Sequence, residues 1–281
     1  MGLDGHFRAF SFVDRIHSLD SSHVRGSYHV PQSIEHFPAA LVAEAVGQLA
    51  AWAAMSALDF KSRPVAGLAS SIELLSPVRP GEVLDLAADL ETVDADAAAY
   101  HGVASVTGRP VIRLRHCVGP MVPVEEFDDP QALRERFALL RNQGAAPGVF
   151  GGISPLPLTW SGNGSSESLR AQLHVPSEAL FFSDHFPRRP VLPGALLMNA
   201  NLEVVAALAA TLAAPAVGSR WRLQSISDVK LRAFTPPGDT LEIEARLNEV
   251  SGDSATVNVE TRKGKRVIGG SRVGLVAEVR P

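Results

Sequence analysis

The sequence predicts an α+β fold: two antiparallel sheets, each wrapped around one long central helix, packed against each other as a pseudo-dimer. Three observations predict it. The passage IELLSPVRPGEVLDLAADL near residue 75 returns as VKLRAFTPPGDTLEIEARL near residue 232, with Gly81 and Gly238 157 residues apart. Downstream, VTGRPVIRLRHCV returns as RKGKRVIGGSRVG, with Gly108 and Gly264 156 residues apart. Upstream, each half has an extended stretch with His-Val-Pro (29–31 and 174–176) followed by one long Ala-rich segment. Self-similarity at a fixed offset marks a repeat, and alternating apolar residues around Pro-Gly and Gly turns mark antiparallel strands.

The Ala-rich segments, 37–60 and 191–214, approach membrane-helix length. The first carries Glu44 and Gln48 and the second Asn199, Asn201 and Glu203. Charge inside an apolar span is costly in lipid. A helix so apolar, polar on one side only, must be almost surrounded, and a curled antiparallel sheet does this economically. The expected domains are 1–128 and 169–281, with 129–168 between them as linker. In that linker Asp129 is placed as the N-cap and Pro130 at the first turn of a short helix, QALRERFALL. Residues 141–168 are rich in Gly, Pro and Ser, with Trp160 expected to anchor them to one domain.

A chain of 281 residues with 46% hydrophobic and 20% charged residues has the balance of a globular protein with a substantial core. A net charge of −4 and a pI near 6.1 argue against general nucleic-acid binding. A lone cysteine, Cys117, excludes an intramolecular disulfide and fits a packing role in a reducing compartment. The opening MGLDGHFRAFSF has no basic start followed by an apolar run. A cytoplasmic protein outside the membrane is the expectation.

The most informative stretch is FFSDHFPRRPVLPGALLMNANLEVV, residues 181–205. Pro187, Pro190 and Pro193 restrict the loop to extended conformations and hold His185 in place. Gly194 permits close backbone approach where the helix begins. Free N–H groups there, with the positive end of the helix, suit an oxygen that gains negative charge. An imidazole nearby is suited to taking a proton near neutrality.

The run His185-Phe186-Pro187, Pro190, Pro193-Gly194 resembles the signature loop of the β-hydroxyacyl-acyl-carrier-protein dehydratases, which have the hot-dog fold. The resemblance covers about 10–124 and 169–279 and leaves out the linker. It implies a double hot-dog protein with His185 catalytic and Phe186, Pro193 and Gly194 at the substrate. In that family a carboxylate 14 residues after the histidine works with the histidine of the neighbouring unit. Here that position is Asn199, which cannot supply a proton.

The first half supplies what is missing. Its segment FPAALVAEAVGQLAAW resembles the family's helix start, with Glu44 in the acid position and Gln48 one turn on, on the same face. A buried Glu on an Ala-rich helix is costly unless it is partnered or protonated. A raised pKa is what an acid for a departing hydroxyl requires. The first half lacks the proline loop, and His29 and His36 lie 15 and 8 residues before Glu44. Neither restores the family's spacing, and both read as structural. Glu203, one turn beyond Asn199, is a carboxylate with no well-placed histidine expected to face it. One composite site, His185 with Glu44, is therefore expected.

The resemblance implies a dehydratase that converts a 3-hydroxyacyl thioester to the 2-enoyl thioester in fatty-acid or polyketide biosynthesis. The substrate would ride on the phosphopantetheine of an acyl carrier protein or of coenzyme A, with no metal or redox cofactor. A hot-dog thioesterase and a non-catalytic acyl-carrier-binding domain are the alternatives. Arg188 and Arg189 beside the loop, and Arg222 after the second helix, are candidates for carrier docking against the plainer reading of a solvated charged face. Asp184 and Arg188 stand where the family has small glycines and are expected to narrow or charge the tunnel mouth. Monomer and homodimer are both compatible with fused units.

Overall fold

A computed structural model of the chain describes residues 6–161, 167–213, 216 and 218–279. The first half runs β1 (Arg15–Leu19), β2 (His23–His29), α1 (Ala39–Ala57), β3 (Ser62–Pro64), β4 (Leu68–Leu74), β5 (Val83–Val93), β6 (Ala97–Val106) and β7 (Arg109–Pro123). Then come α2 (Val124–Phe127), α3 (Pro130–Asn142) and the short strand β8 (Leu158–Trp160). The second half runs β9 (Ser168–His174), α4 (Gly194–Thr211), β10 (Ser219–Leu231), β11 (Thr240–Ser251), β12 (Ser254–Lys263) and β13 (Arg266–Val279).

The strand order shows the repeat. It reads β1-β2-β5-β6-β7-β4-β10-β13-β12-β11-β9-β8, with β3 paired to β7. Outward from the centre, β4-β7-β6-β5-β2 is matched by β10-β13-β12-β11-β9, so the halves are related by a pseudo-twofold between β4 and β10. Those two strands pair directly, with Glu73 opposite Ser225, Ser71 opposite Ser227 and Ala69 opposite Val229. The two sheets foreseen in the sequence are thus one continuous antiparallel sheet. The glycines that revealed the repeat sit at its turns, Gly81 and Gly238 at φ 85° and 81°, Gly108 and Gly264 at 78° and 56°. That left-handed region penalises any residue with a Cβ.

Each helix lies inside the curl of its half-sheet. Ala45, Val46 and Leu49 of α1 and Val204 and Val205 of α4 are wholly buried, against such strand residues as Leu84, Ile243 and Val257. Each fully buried Leu, Ile or Val contributes roughly 1.5–3 kcal/mol, which outweighs the weak intrinsic preferences of an Ala-rich helix. Both helices are long and apolar enough to cross a membrane by length and composition, and here each is a core helix, mostly buried.

Between the halves, Asp129 caps α3 by accepting from Gln131 N and Ala132 N, with Pro130 as the first helical residue. Leu133 and Leu140 of α3 reach the core, and so does Phe150 further on, edge-on to Phe12 and Phe37. The expected anchor, Trp160, is 48% exposed. Backbone pairing of β8 with β9 does the anchoring, since its N–H and C=O groups need ladder partners whatever the side chains do. Cys117 is buried and unoxidised in β7.

Candidate active site

The loop before α4 is closed by its own backbone. His185 N donates to Phe181 O at 2.8 Å, and Val191 N donates to His185 O at 3.2 Å. The imidazole Nδ1 lies 3.1 Å from Val191 O, so His185 carries its proton on Nδ1 and leaves Nε2 as a free base. Phe186 is buried edge-on against Phe127, with the ring centroids 5.3 Å apart, and fixes the loop to α2. The loop departs from the extended form that its prolines predict: Pro187 and Arg188 form a turn that Arg189 N closes by donating to Phe186 O at 3.2 Å.

His185 lines a cavity of about 220 Å³, and the same cavity is lined by Glu44, Gln48, Phe186 and Gly194. The histidine comes from the second half and the carboxyl from the first. Residues 155 apart along the chain, Ala39 and Gly194, begin the two helices that meet there. Gln48 Nε2 donates to Glu44 Oε1 at 3.0 Å and to Phe10 O at 3.0 Å, while its Oε1 accepts from Phe12 N at 2.8 Å. The amide is therefore held in one orientation and holds one oxygen of Glu44.

Burial pushes the Glu44 carboxyl above its ordinary pKa, against the pull of the Gln48 bond and the Arg63 charge. Burial also lowers His185 to about 4, the Val191 carbonyl opposing and the Arg63 cation reinforcing the drop. The imidazole is thus neutral across the physiological range. A neutral base and a carboxyl biased toward its acid form share one pocket.

At the start of α4, no hydrogen bond joins the Gly194 N–H to a protein acceptor among the described residues. A Cβ on Gly194 would lie 2.7 Å from Leu231 Cδ1, the end of a flexible side chain, and 3.2 Å from Ala66 Cβ, so glycine lets both approach without adjustment. Pro193, expected at the substrate, is buried and does not line the cavity. Its carbonyl instead accepts from Leu196 N and Leu197 N.

Asp184, which lines the cavity, and Arg188 each have partners inside the protein. Asp184 does not present bare charge at the cavity mouth. Its carboxylate accepts from Phe7 N, from Phe10 N at 2.6 Å and from Ser11 Oγ at 3.4 Å, clasping the start of the first half onto the loop. Phe10 is thereby set edge-on to His185, ring centroids 5.7 Å apart. Arg188 donates to Glu125 O at 2.9 Å and pairs with Asp129 at 3.2 Å. Arg189 pairs with Glu126 at 3.6 Å, and Arg222 with Glu278 at 3.4 Å. All three are exposed ion pairs, and none lines the cavity.

Arg63 in β3 was missed by sequence reasoning. It lines the cavity, stacks over Phe186 at 4.0 Å and pairs with the buried Asp128 at 3.3 Å, leaving its Nε without a partner. It stands in a three-residue strand with no motif around it.

The other half-site has a different fate. His29 pairs with Asp14 at 3.0 Å on the β2 rim. His36 is exposed, and its charge helps lower the pKa of Glu203, which burial raises. No hydrogen bond or ion pair joins His36 to Glu203 among the described residues, and the chain from His36 enters α1 directly. Asn199 Nδ2 donates to Glu203 Oε1 at 2.8 Å. None of His29, His36, Asn199 and Glu203 lines the cavity.

Residues 161–271 match the model of the ApeI-like dehydratase family, described as ApeI dehydratase. A 3-hydroxyacyl-[acyl-carrier-protein] dehydratase FabZ of Rickettsia felis is 39% identical over 103 residues, covering 34% of this chain and 68% of the relative. The same-named protein of Rickettsia rickettsii (strain Sheila Smith) is 39% identical over 87 residues, 28% of this chain and 57% of the relative. In fold, the chain is similar to the tesB protein of Mycobacterium avium subs paratuberculosis, with a TM-score of 0.60 at 9% identity over 94% of this chain and 95% of the other. It is also similar to an acyl-ACP thioesterase from Bacteroides thetaiotaomicron, with a TM-score of 0.53 at 13% identity over 91% and 98%.

Proposed function

We propose, since the chain belongs to the 3-hydroxyacyl-[acyl-carrier-protein] dehydratase family of hot-dog proteins, that it removes water from a 3-hydroxyacyl thioester to give the 2-enoyl thioester. The observation that carries this reading is a single cavity lined by a neutral imidazole from one half and a carboxyl from the other.

His185 Nε2 takes the α-proton of the acyl chain. The electron pair left behind forms the new double bond as the bond from C3 to its hydroxyl breaks, and Glu44 gives its proton to that oxygen, which leaves as water. Gln48 holds the other Glu44 oxygen so that the acidic one faces the substrate. The Gly194 N–H receives the thioester oxygen as it gains charge. At the end of the step His185 is protonated and Glu44 ionised, and proton exchange with solvent restores both. This acid–base chemistry calls for no metal or redox cofactor. The thioester would arrive on the phosphopantetheine of an acyl carrier protein or of coenzyme A.

Hot-dog neighbours in fold include thioesterases, and hydrolysis would want an ionised carboxylate to activate water. The raised Glu44 pKa favours dehydration instead. Incubation with a 3-hydroxyacyl pantetheine thioester tests this. Enoyl thioester seen by ultraviolet absorbance, without free thiol, is the expected result. Thiol release would establish hydrolysis, and neither product would overturn both activities.

A further inference from the structure

Asn201 is a buried polar residue that the dehydration chemistry leaves unused. It sits in the middle of α4 at 6% exposure, beneath β12, and lines the same cavity as His185 and Glu44. Thr261, itself wholly buried, donates its hydroxyl to Asn201 Oδ1 at 2.9 Å. The amide Nδ2 has no hydrogen-bond partner among the described residues, and it is not one of the sealed, unsatisfied atoms of the interior, so it opens on the cavity. A buried amide nitrogen without a partner is costly, and burial of this kind is sustained when something in the cavity accepts from it.

The corresponding position of the first half, 155 residues earlier, is Val46, an apolar residue with no accessible surface. The Asn–Thr pair is therefore particular to the second half.

Its position along the cavity says what it meets. Gly194, Ala195, Met198 and Asn201 follow one face of α4, all lining the cavity. At 1.5 Å per residue, Asn201 lies about 10 Å beyond Gly194, where the thioester oxygen is received. The Gly194 end approaches exposed Ala66, near exposed Leu68, and there the cavity nears the surface. A carrier arm must stay at that open end, so the acyl chain is what reaches Asn201.

We infer that Asn201, oriented by Thr261, is a specificity-determining residue that selects acyl chains bearing an oxygen acceptor, a ketone or hydroxyl, well beyond the reacting carbons. This rests on the proposed site being an acyl-thioester site, and binding separates the two ideas. Two saturated acyl pantetheine thioesters of equal length, lacking the 3-hydroxyl, serve as probes. One is all methylene beyond the thioester, and the other carries a ketone about 10 Å along the chain. Calorimetry on the whole protein should show tighter binding of the ketone probe. Asn201→Val should weaken the ketone probe about tenfold while leaving the methylene probe unchanged. Thr261→Val, which keeps the amide but frees it to turn, should give a smaller loss and guards against a folding defect in the first variant. An equal binding ratio in wild type and Asn201→Val, or a wild-type preference for the methylene probe, would overturn the inference. A ketone preference lost in Asn201→Val, in a protein that dehydrates nothing, would instead remove the dehydratase proposal and leave this one standing.

Discussion

His185 and His36 each open a His-Phe-Pro run ahead of a central helix, yet one is enclosed with a carboxyl and the other stands in water. The helices repeat the contrast. Glu44 and Gln48 on α1 answer to Asn199 and Glu203 on α4, the same two kinds of residue in exchanged order, and in each pair the amide donates to the carboxylate, at 3.0 Å and 2.8 Å. Residue type therefore does not make the site. Position does: the acid in the earlier place faces the cavity, whereas one turn later it faces solvent. Three prolines hold His185 over the cavity, while His36 passes directly into α1.

The sharpest way to break this contrast is kinetic. His185→Ala and Glu44→Gln should each lower kcat/KM by about 10²- to 10⁴-fold, and His36→Ala and Glu203→Gln should leave it unchanged. Steady-state rates with a 3-hydroxyacyl pantetheine thioester decide it, and equal losses from the two sets would mean that both half-sites work.

Arg63 bears on one half-site only. Activity requires neutral His185 and protonated Glu44, so it should fall as pH drops through about 4 and again as pH rises through the raised Glu44 pKa. The Arg63 charge lowers both values, so Arg63→Leu should move both limbs of the pH profile upward. Arg63→Lys should keep them near their original places. Removing the cation also leaves the buried Asp128 with only the His6 ring and the Asp129 N–H, at a cost of up to about 3–5 kcal/mol in denaturant unfolding. Limbs that stay fixed in Arg63→Leu would show that the cation does not reach the site.

A smaller effect separates the residues just ahead of the two histidines. Asp184→Asn should lower stability by about 1–3 kcal/mol, because a carboxamide accepts from only one of the Phe7 and Phe10 N–H groups. Glu35→Gln, at an exposed site, should change thermal unfolding by less than about 0.5 kcal/mol. Smallest is the helix start. Gly194→Ala crowds Leu231 and Ala66 and should lower kcat/KM several-fold, on the order of 1 kcal/mol. Ala39→Gly at the other helix should have no effect on rate.

Much of this was legible in the residues because it was periodic or proline-fixed. Paired glycine turns gave the repeat, and apolar Ala-rich runs gave α1 and α4. Fixed spacing around His185, together with the gap at Asn199, pointed to Glu44 in the other half, and both line one cavity. What was not legible depends on contacts between distant segments. Arg63 matters through Asp128 and Phe186, 65 and 123 positions away in a chain without local signal. Asp184 could be seen as a charge, but nothing local foretold that Phe7 and Phe10 would fold back onto it. Asn201 was visible as a polar residue in an apolar helix, and only Thr261 and the cavity give it a role. The β4–β10 seam was hidden because strand neighbours across halves leave no mark on either strand.

That seam has a consequence for self-association. Joining the half-sheets through β4 and β10 removes what would otherwise be two long bare rims and leaves β1 and β8 as the outer margins. These are only five and three residues long, and β1 is further capped where Arg15 Nη1 donates to Gln143 O and Ala145 N donates to Asp14 O. Margins this short are poor templates for recruiting further copies strand by strand.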